Sequence, residues 1–180
     1  VQEAISRYTP YLLVKDLKSS IFGSLSQMLA SCAESAQTQA LLKKMIAFAS
    51  TDKDISQLVA VFEEHLGVEN GILGVADLWS IVFKVQGSKT LASDLKESVL
   101  QRMEAKDQSD LMKETKLSID SMTASDTQRE SLWSEYIDSS RKMNYTDFDS
   151  SISGFFSSFV EDKVRQTYYQ RYFEALLSVL

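Results

Sequence analysis

The chain has 180 residues and a mass of 20.3 kDa, with 19 Lys and Arg against 25 Asp and Glu, a net charge of −6 and a pI near 4.9. Hydrophobic residues make up 44% and charged residues 24%, the profile of a folded domain and not of a disordered chain. One proline and six glycines are too few for the turn every ~8–12 residues that a β-sandwich or barrel needs, so composition excludes that class.

Helical periodicity runs the whole length. Leu13, Leu17, Ile21, Leu25, Met28 and Cys32 form a first stripe just after Pro10, where a proline suits a helix start. Leu41, Met45, Phe48 and Ala49 form a second. A third holds Ile55, Leu58, Val59, Phe62 and Leu66; Thr51 with Asp54 opens it as a capping box and Gly67 closes it. Gly71 and Gly74 then mark a loop without the Pro/Ser-rich or charged run of a domain linker. Val75, Leu78, Trp79 and Val82 predict a helix ending near Gly87, and Leu91, Leu95, Val99 and Met103 the next, capped by Ser88 or Thr90.

Leu111, Thr115, Ile119 and Met122 make a weaker stripe. Ser125 with Gln128 is a second capping box, followed by Leu132, Trp133, Tyr136 and Ile137. Asn144 caps a helix bearing Tyr145, Phe148, Ile152, Phe155 and Phe159. The last helix runs from about Val160, with Val164, Tyr168, Tyr172, Phe173 and Leu176 predicted inward, then Val179 or Leu180, and Tyr169 outward. The expectation is nine or ten helices in one all-α domain over residues 1–180. A superhelical array of antiparallel pairs, a HEAT- or armadillo-like α-solenoid, fits this run of short helices, and the same periodicity is also compatible with a bundle.

Several functions are disfavoured at this level. The longest uncharged stretch, Ser19 to Ala33, is short and carries five serines, too polar for a membrane span of ~20 residues. Val1-Gln2-Glu3-Ala4 has neither a basic signal-type start nor a Met, so the chain is expected to be a piece of a longer one. Only Lys43-Lys44 and Arg141-Lys142 pair basic residues, and the net charge repels nucleic acid. The single cysteine, Cys32, permits no internal disulfide and suits a reducing, cytoplasmic setting. Asn144-Tyr145-Thr146 spells a glycosylation sequon, a triplet common by chance and uninformative alone.

No constellation carries catalysis. His65 is the only histidine, whereas H-E-x-x-H needs two a turn apart to reach one metal. Glu63, Glu64 and His65 are consecutive and point around the helix, so His65 reads as a residue of the last turn, favourable to the helix dipole. Cys32 reads as a small buried hydrophobe and not as a thiol nucleophile served by His65. No phosphate-binding glycine motif and no acid–base carboxylate pair stands out, so catalytic and metal residues are expected to be absent. The end of the chain is densely aromatic: Phe155-Phe156, Phe159, Tyr168-Tyr169 and Tyr172-Phe173, with Arg165 and Arg171 among them. These read first as core, and secondly as a partner-facing surface.

The order of segments resembles a known family. Ala47-Phe48-Ala49-Ser50-Thr51-Asp52-Lys53-Asp54-Ile55, a glycine-punctuated loop, and Asp77-Leu78-Trp79 come first. Glu104 to Asp110, Thr123-Ala124-Ser125-Asp126 before Leu132-Trp133, Met143-Asn144, Gly154-Phe155 and Tyr168-Tyr169-Gln170-Arg171-Tyr172-Phe173 follow. Together these resemble the C-terminal, endoplasmic-reticulum-aminopeptidase-like helical domain of the aminopeptidase N family of zinc metallopeptidases. The likeness covers Ala47 to Leu180 by motif and the earlier residues by helix pattern alone. It implies a non-catalytic domain whose partners are an upstream catalytic domain of the same polypeptide and the peptide cavity that the two enclose. Zinc and its ligands would belong to that upstream domain, and none to this chain. The substrate-channel residues stay unassigned. Two rivals stay open: a free-standing helical-repeat scaffold for a protein partner, and a small helical enzyme with a novel site.

Overall fold

A computed structural model describes residues 11–32, 34–69, 71–138 and 143–177, the side chains of 11, 12 and 175–177 left aside. Among the described residues the secondary structure is entirely helical: α1 (Tyr11–Ala30), α2 (Ser35–Phe48), α3 (Asp52–Leu66), α4 (Val75–Gly87), α5 (Ser93–Lys106), α6 (Asp110–Thr123), α7 (Asp126–Ile137), α8 (Tyr145–Phe155) and α9 (Asp162–Leu177). They divide into two compact units, one up to Asp107 and the other from Gln108. Pro10, Arg141-Lys142, Val179 and Leu180, and the side chain of Leu176, lie outside the described residues.

In the first unit α1 packs on α2, α2 and α3 on α4, and α4 on α5. Leu42, Met45, Ile46 and Phe48 from α2, Ile55, Leu58 and Phe62 from α3, and Leu78, Trp79, Ile81, Val82 and Val85 from α4 are buried, with Val99 and Met103 from α5. α4 is the centre of this unit, which explains why it is apolar around much of its girth. Its start holds half of a capping box, with the Gly74 N–H donating to Asp77 Oδ2 at 3.0 Å.

The Thr51–Asp54 box opening α3 is complete. Thr51 Oγ1 accepts from the Asp54 N–H at 3.2 Å and Asp54 Oδ2 accepts from the Thr51 N–H at 3.0 Å. Asp54 is itself buried, and its other oxygen accepts from Ser19 Oγ of α1 at 3.0 Å. One side chain thus caps α3 and ties α1 to it.

Two expectations are corrected here. The α1 stripe does not define the buried face: Phe22 is 2% exposed, whereas Leu13 is 54%, Leu17 38% and Met28 56% exposed. An outer helix of a unit buries only the arc its neighbours cover, and Phe22 occupies that arc. The second correction concerns α5, which begins at Ser93 with Ala92 as its N-cap and no side-chain cap. Ser88 serves the end of α4 instead; it is buried, donates to Asp52, and accepts from the N–H groups of Thr90 and Leu91. A polar residue that already satisfies a buried turn is not available to start the next helix.

In the second unit the most extensive helix contact is α6 against α8, not a pair of consecutive helices. Gly154 permits it: a Cβ there would lie 1.9 Å from the Ser118 carbonyl oxygen. Ser118 Oγ donates across the crossing to the Ser150 carbonyl at 2.7 Å. α7 opens on the predicted Ser125–Gln128 box, and Asn144 caps α8 by accepting from the Asp147 N–H at 2.9 Å.

Candidate functional site

The residues weighed for chemistry do not converge. His65 is half-buried in the last turn of α3, its carbonyl accepting from the Gly67 and Val68 N–H groups. Beside it, Glu63 is exposed and pairs with Arg102 of α5. Cys32 Sγ lies near Thr38 Oγ1, the Glu34 carbonyl and Gln37 Oε1, contacts local to the α1–α2 turn. Among the described residues no three His, Cys, Asp or Glu side chains are grouped to hold a metal ion.

Two of the segments that carry the family resemblance meet within the first unit. Trp79 in α4 is 1% exposed, and its Nε1–H donates to Asp107 Oδ2 at 2.7 Å, joining Asp77-Leu78-Trp79 to the acidic turn after α5. A buried indole N–H needs an acceptor, and a carboxylate makes the stronger, charge-assisted bond.

The second unit holds the densest chemistry. Trp133, Tyr136, Phe155 and Tyr168 form its buried cluster, with Leu132, Phe148, Ile152, Phe156 and Val164 packed on it. The Phe155 ring meets Tyr136 and Tyr168 edge-on at 5.3 and 4.8 Å between centroids, the arrangement that aromatic quadrupoles favour. Arg129 is buried here, its guanidinium 5.3 Å from the Phe155 centroid and donating to the Met122 carbonyl at 2.6 Å. Burial pulls Arg129 below the ordinary arginine range, against the nearby Tyr168 and Asp126. Sequence reading passed over this residue, although its i, i+4, i+7 spacing with Trp133 and Tyr136 puts it on the buried face.

α9 is fastened to α7 by a polar clamp. Tyr168 Oη and Arg171 Nη1 both donate to Glu130 Oε1 at 2.7 Å, and the Arg171 guanidinium lies over the Trp133 and Tyr168 rings. Arg171 and then Tyr168 hold the Glu130 carboxyl below its usual range. Burial, reinforced by Glu130, pushes the Tyr168 phenol up to about 12.

This geometry corrects the reading of the last helix. Tyr168 and Val164 turn inward as expected, but Arg171 takes the next inward position, and Tyr172 is 46% and Phe173 60% exposed. Tyr169 is outward as expected, 43% exposed, and its ring stacks on Phe156 at 4.6 Å between centroids. The reason is angular: at 100° per residue, 164, 168 and 171 share a narrow face, while 172 and 173 rotate off it.

A cavity of about 280 Å³ opens beside the cluster, lined by Leu117, Ser121, Gln128, Leu132 and Ser151 among others. Two of its lining residues, Ser121 and Ser151, belong to a buried hydroxyl chain: Tyr136 Oη lies 2.6 Å from Ser151 Oγ, which lies 2.7 Å from Ser121 Oγ, which donates to the Leu117 carbonyl. Burial raises the Tyr136 phenol above its ordinary value, so it is a neutral donor at physiological pH. These hydroxyls satisfy one another and cross-link α6, α7 and α8. Comparison with family models, with curated proteins and with solved structures found no match.

Proposed function

We propose that this chain is a non-catalytic helical domain of a zinc aminopeptidase, closing over the active site of an upstream catalytic domain and shaping peptide access to it. Both units belong to that one domain, and the helices form a superhelical array of antiparallel pairs. The parent works in the cytoplasm and its zinc lies in the catalytic domain. The observation that carries the reading is the Trp79–Asp107 hydrogen bond, which links two separated segments of the family-like pattern through a buried contact. The other segments of that pattern have equally structural duties: Asp54 and Ser125 cap helices, Gly154 admits a helix crossing, and Tyr168 and Arg171 clamp α9. A pattern spent on caps, crossings and clamps encodes a scaffold.

Reading the coding sequence upstream of Val1 tests this. H-E-x-x-H followed by a distant glutamate is expected; a frame without them removes the aminopeptidase reading. Stoichiometric zinc retained by the isolated chain after dialysis, or aminoacyl hydrolysis that tracks with it, would equally overturn it. The exposed aromatics of α9 favour a second reading, a free-standing scaffold for a protein partner, and the same upstream sequence separates the two.

A further inference from the structure

The cavity of the second unit has polar lining residues whose hydrogen-bonding sense is fixed. Ser121 Oγ donates to the Leu117 carbonyl, which can only accept. A serine has one proton, so in the Ser121–Ser151 contact Ser151 is the donor, and in the Tyr136–Ser151 contact Tyr136 is. The raised Tyr136 phenol keeps the first of these protons in place. All three protons therefore run along the chain towards the Leu117 carbonyl, and each serine oxygen is left with an accepting lone pair and no proton to give. Both serines line the cavity, as does Asp120, the one ionisable residue of its described lining. Leu117, Leu132 and Met143 supply apolar wall around them.

We infer that this cavity binds a small primary amine in its ammonium form, its N–H groups donating to Ser121 and Ser151 beside Asp120 and its hydrocarbon body lying against Leu117, Leu132 and Met143. Two features select that chemistry. Lone pairs without protons accept from a donor and offer nothing to a carboxylate or a phosphate. A carboxylate in the wall attracts a cation and repels an anion. Size sets the rest. A void of ~150 Å³ holds a benzene-sized guest and drug-sized ligands take ~300–1,000 Å³, so about 280 Å³ suits a ligand of about ten non-hydrogen atoms. The site lies within the second unit alone and does not depend on an upstream catalytic domain.

Titration of the 180-residue chain with phenethylamine, phenethyl alcohol and phenylacetate, followed by amide chemical shifts at neutral pH, tests this. The three probes share an aromatic body and carry a cationic, a neutral and an anionic head. Phenethylamine should bind saturably, with a Kd on the order of 1 mM for a ligand of this size, and shift resonances of α6–α8 but not of α1–α5. The alcohol should bind several-fold more weakly and phenylacetate not at all. Asp120→Asn should bring amine and alcohol to within twofold of each other, with the circular dichroism spectrum unchanged. Ser131→Phe, at an exposed position of the lining, should block binding of both. Phenylacetate or the alcohol binding as tightly as the amine, shifts that spread over both units without saturating, or amine binding untouched by both substitutions would each overturn the inference. None of these outcomes depends on whether H-E-x-x-H lies upstream.

Discussion

Gly154 shows how a single missing side chain sets a helix crossing. Its site leaves no room for a methyl group, because the obstacle is the Ser118 backbone, which cannot rotate away. Gly154→Ala should force α6 and α8 apart and cost about 3 kcal/mol, the upper end of overpacking penalties. Gly23, within α1, has nothing within 4 Å of a Cβ, so Gly23→Ala should stabilise by ~0.5–1 kcal/mol through helix propensity alone. Thermal melts of the two variants should therefore shift in opposite directions. Lys84 gives the second prediction at this scale. Burial, with help from Lys18, holds its amine at about 8 against an ordinary 10.5, although Asp54 opposes the shift, and its Nζ donates to the Ala49 carbonyl at 2.8 Å. A folded-state value below the unfolded one means that the unfolded chain binds more protons between the two. Stability from this group therefore rises with pH from about 8 to 10.5 and is lowest below 8. Urea melts of the parent minus those of Lys84→Met should show a rise of at most about 3 kcal/mol across that window.

Among the elements, α9 illustrates the gap between an apolar pattern and a buried face. Tyr168 and Phe173 are both large aromatics of one helix, yet Tyr168 sits against Trp133 and Phe155 while Phe173 faces outward. On α8, Phe155 is 1% exposed and touches Tyr136, Phe156 and Tyr168. Phe155→Ala should cost ~3–5 kcal/mol, as for a buried phenylalanine, whereas Phe173→Ala should move the unfolding midpoint of the 180-residue chain little. Equal losses in chemical denaturation would contradict the exposure of Phe173. Helix starts were the best-read elements: Thr51, Ser125 and Asn144 each cap the helix assigned to them, because a cap is decided by three or four adjacent residues. Ser88 was misread because its partner, Asp52, is 36 residues away.

Over the whole molecule, the two compact units each hold their own buried core, Phe62–Trp79–Val82 and neighbours in one, Trp133–Phe155–Tyr168 in the other. Units with separate cores open separately. Hydrogen exchange on Gly154→Ala should show lost protection across α6–α9 with α2–α5 unchanged. A uniform loss along the chain would mean that the units unfold as one.

The helical class, the number of helices among the described residues to within one, the caps at Thr51, Ser125 and Asn144 and most of the buried residues were legible in the sequence. These depend on composition and on periodicity over a few turns, both of which are local. Tertiary structure alone decided that Phe22 and not Leu13 or Met28 anchors α1, that α6 packs chiefly on α8, and that Arg129 and a chain of three hydroxyls lie buried. An apolar stripe specifies which residues prefer burial but not how much of the stripe a neighbour reaches. That depends on which helices approach and at what angle, and the angle between α6 and α8 hangs on the absence of one methyl group at Gly154.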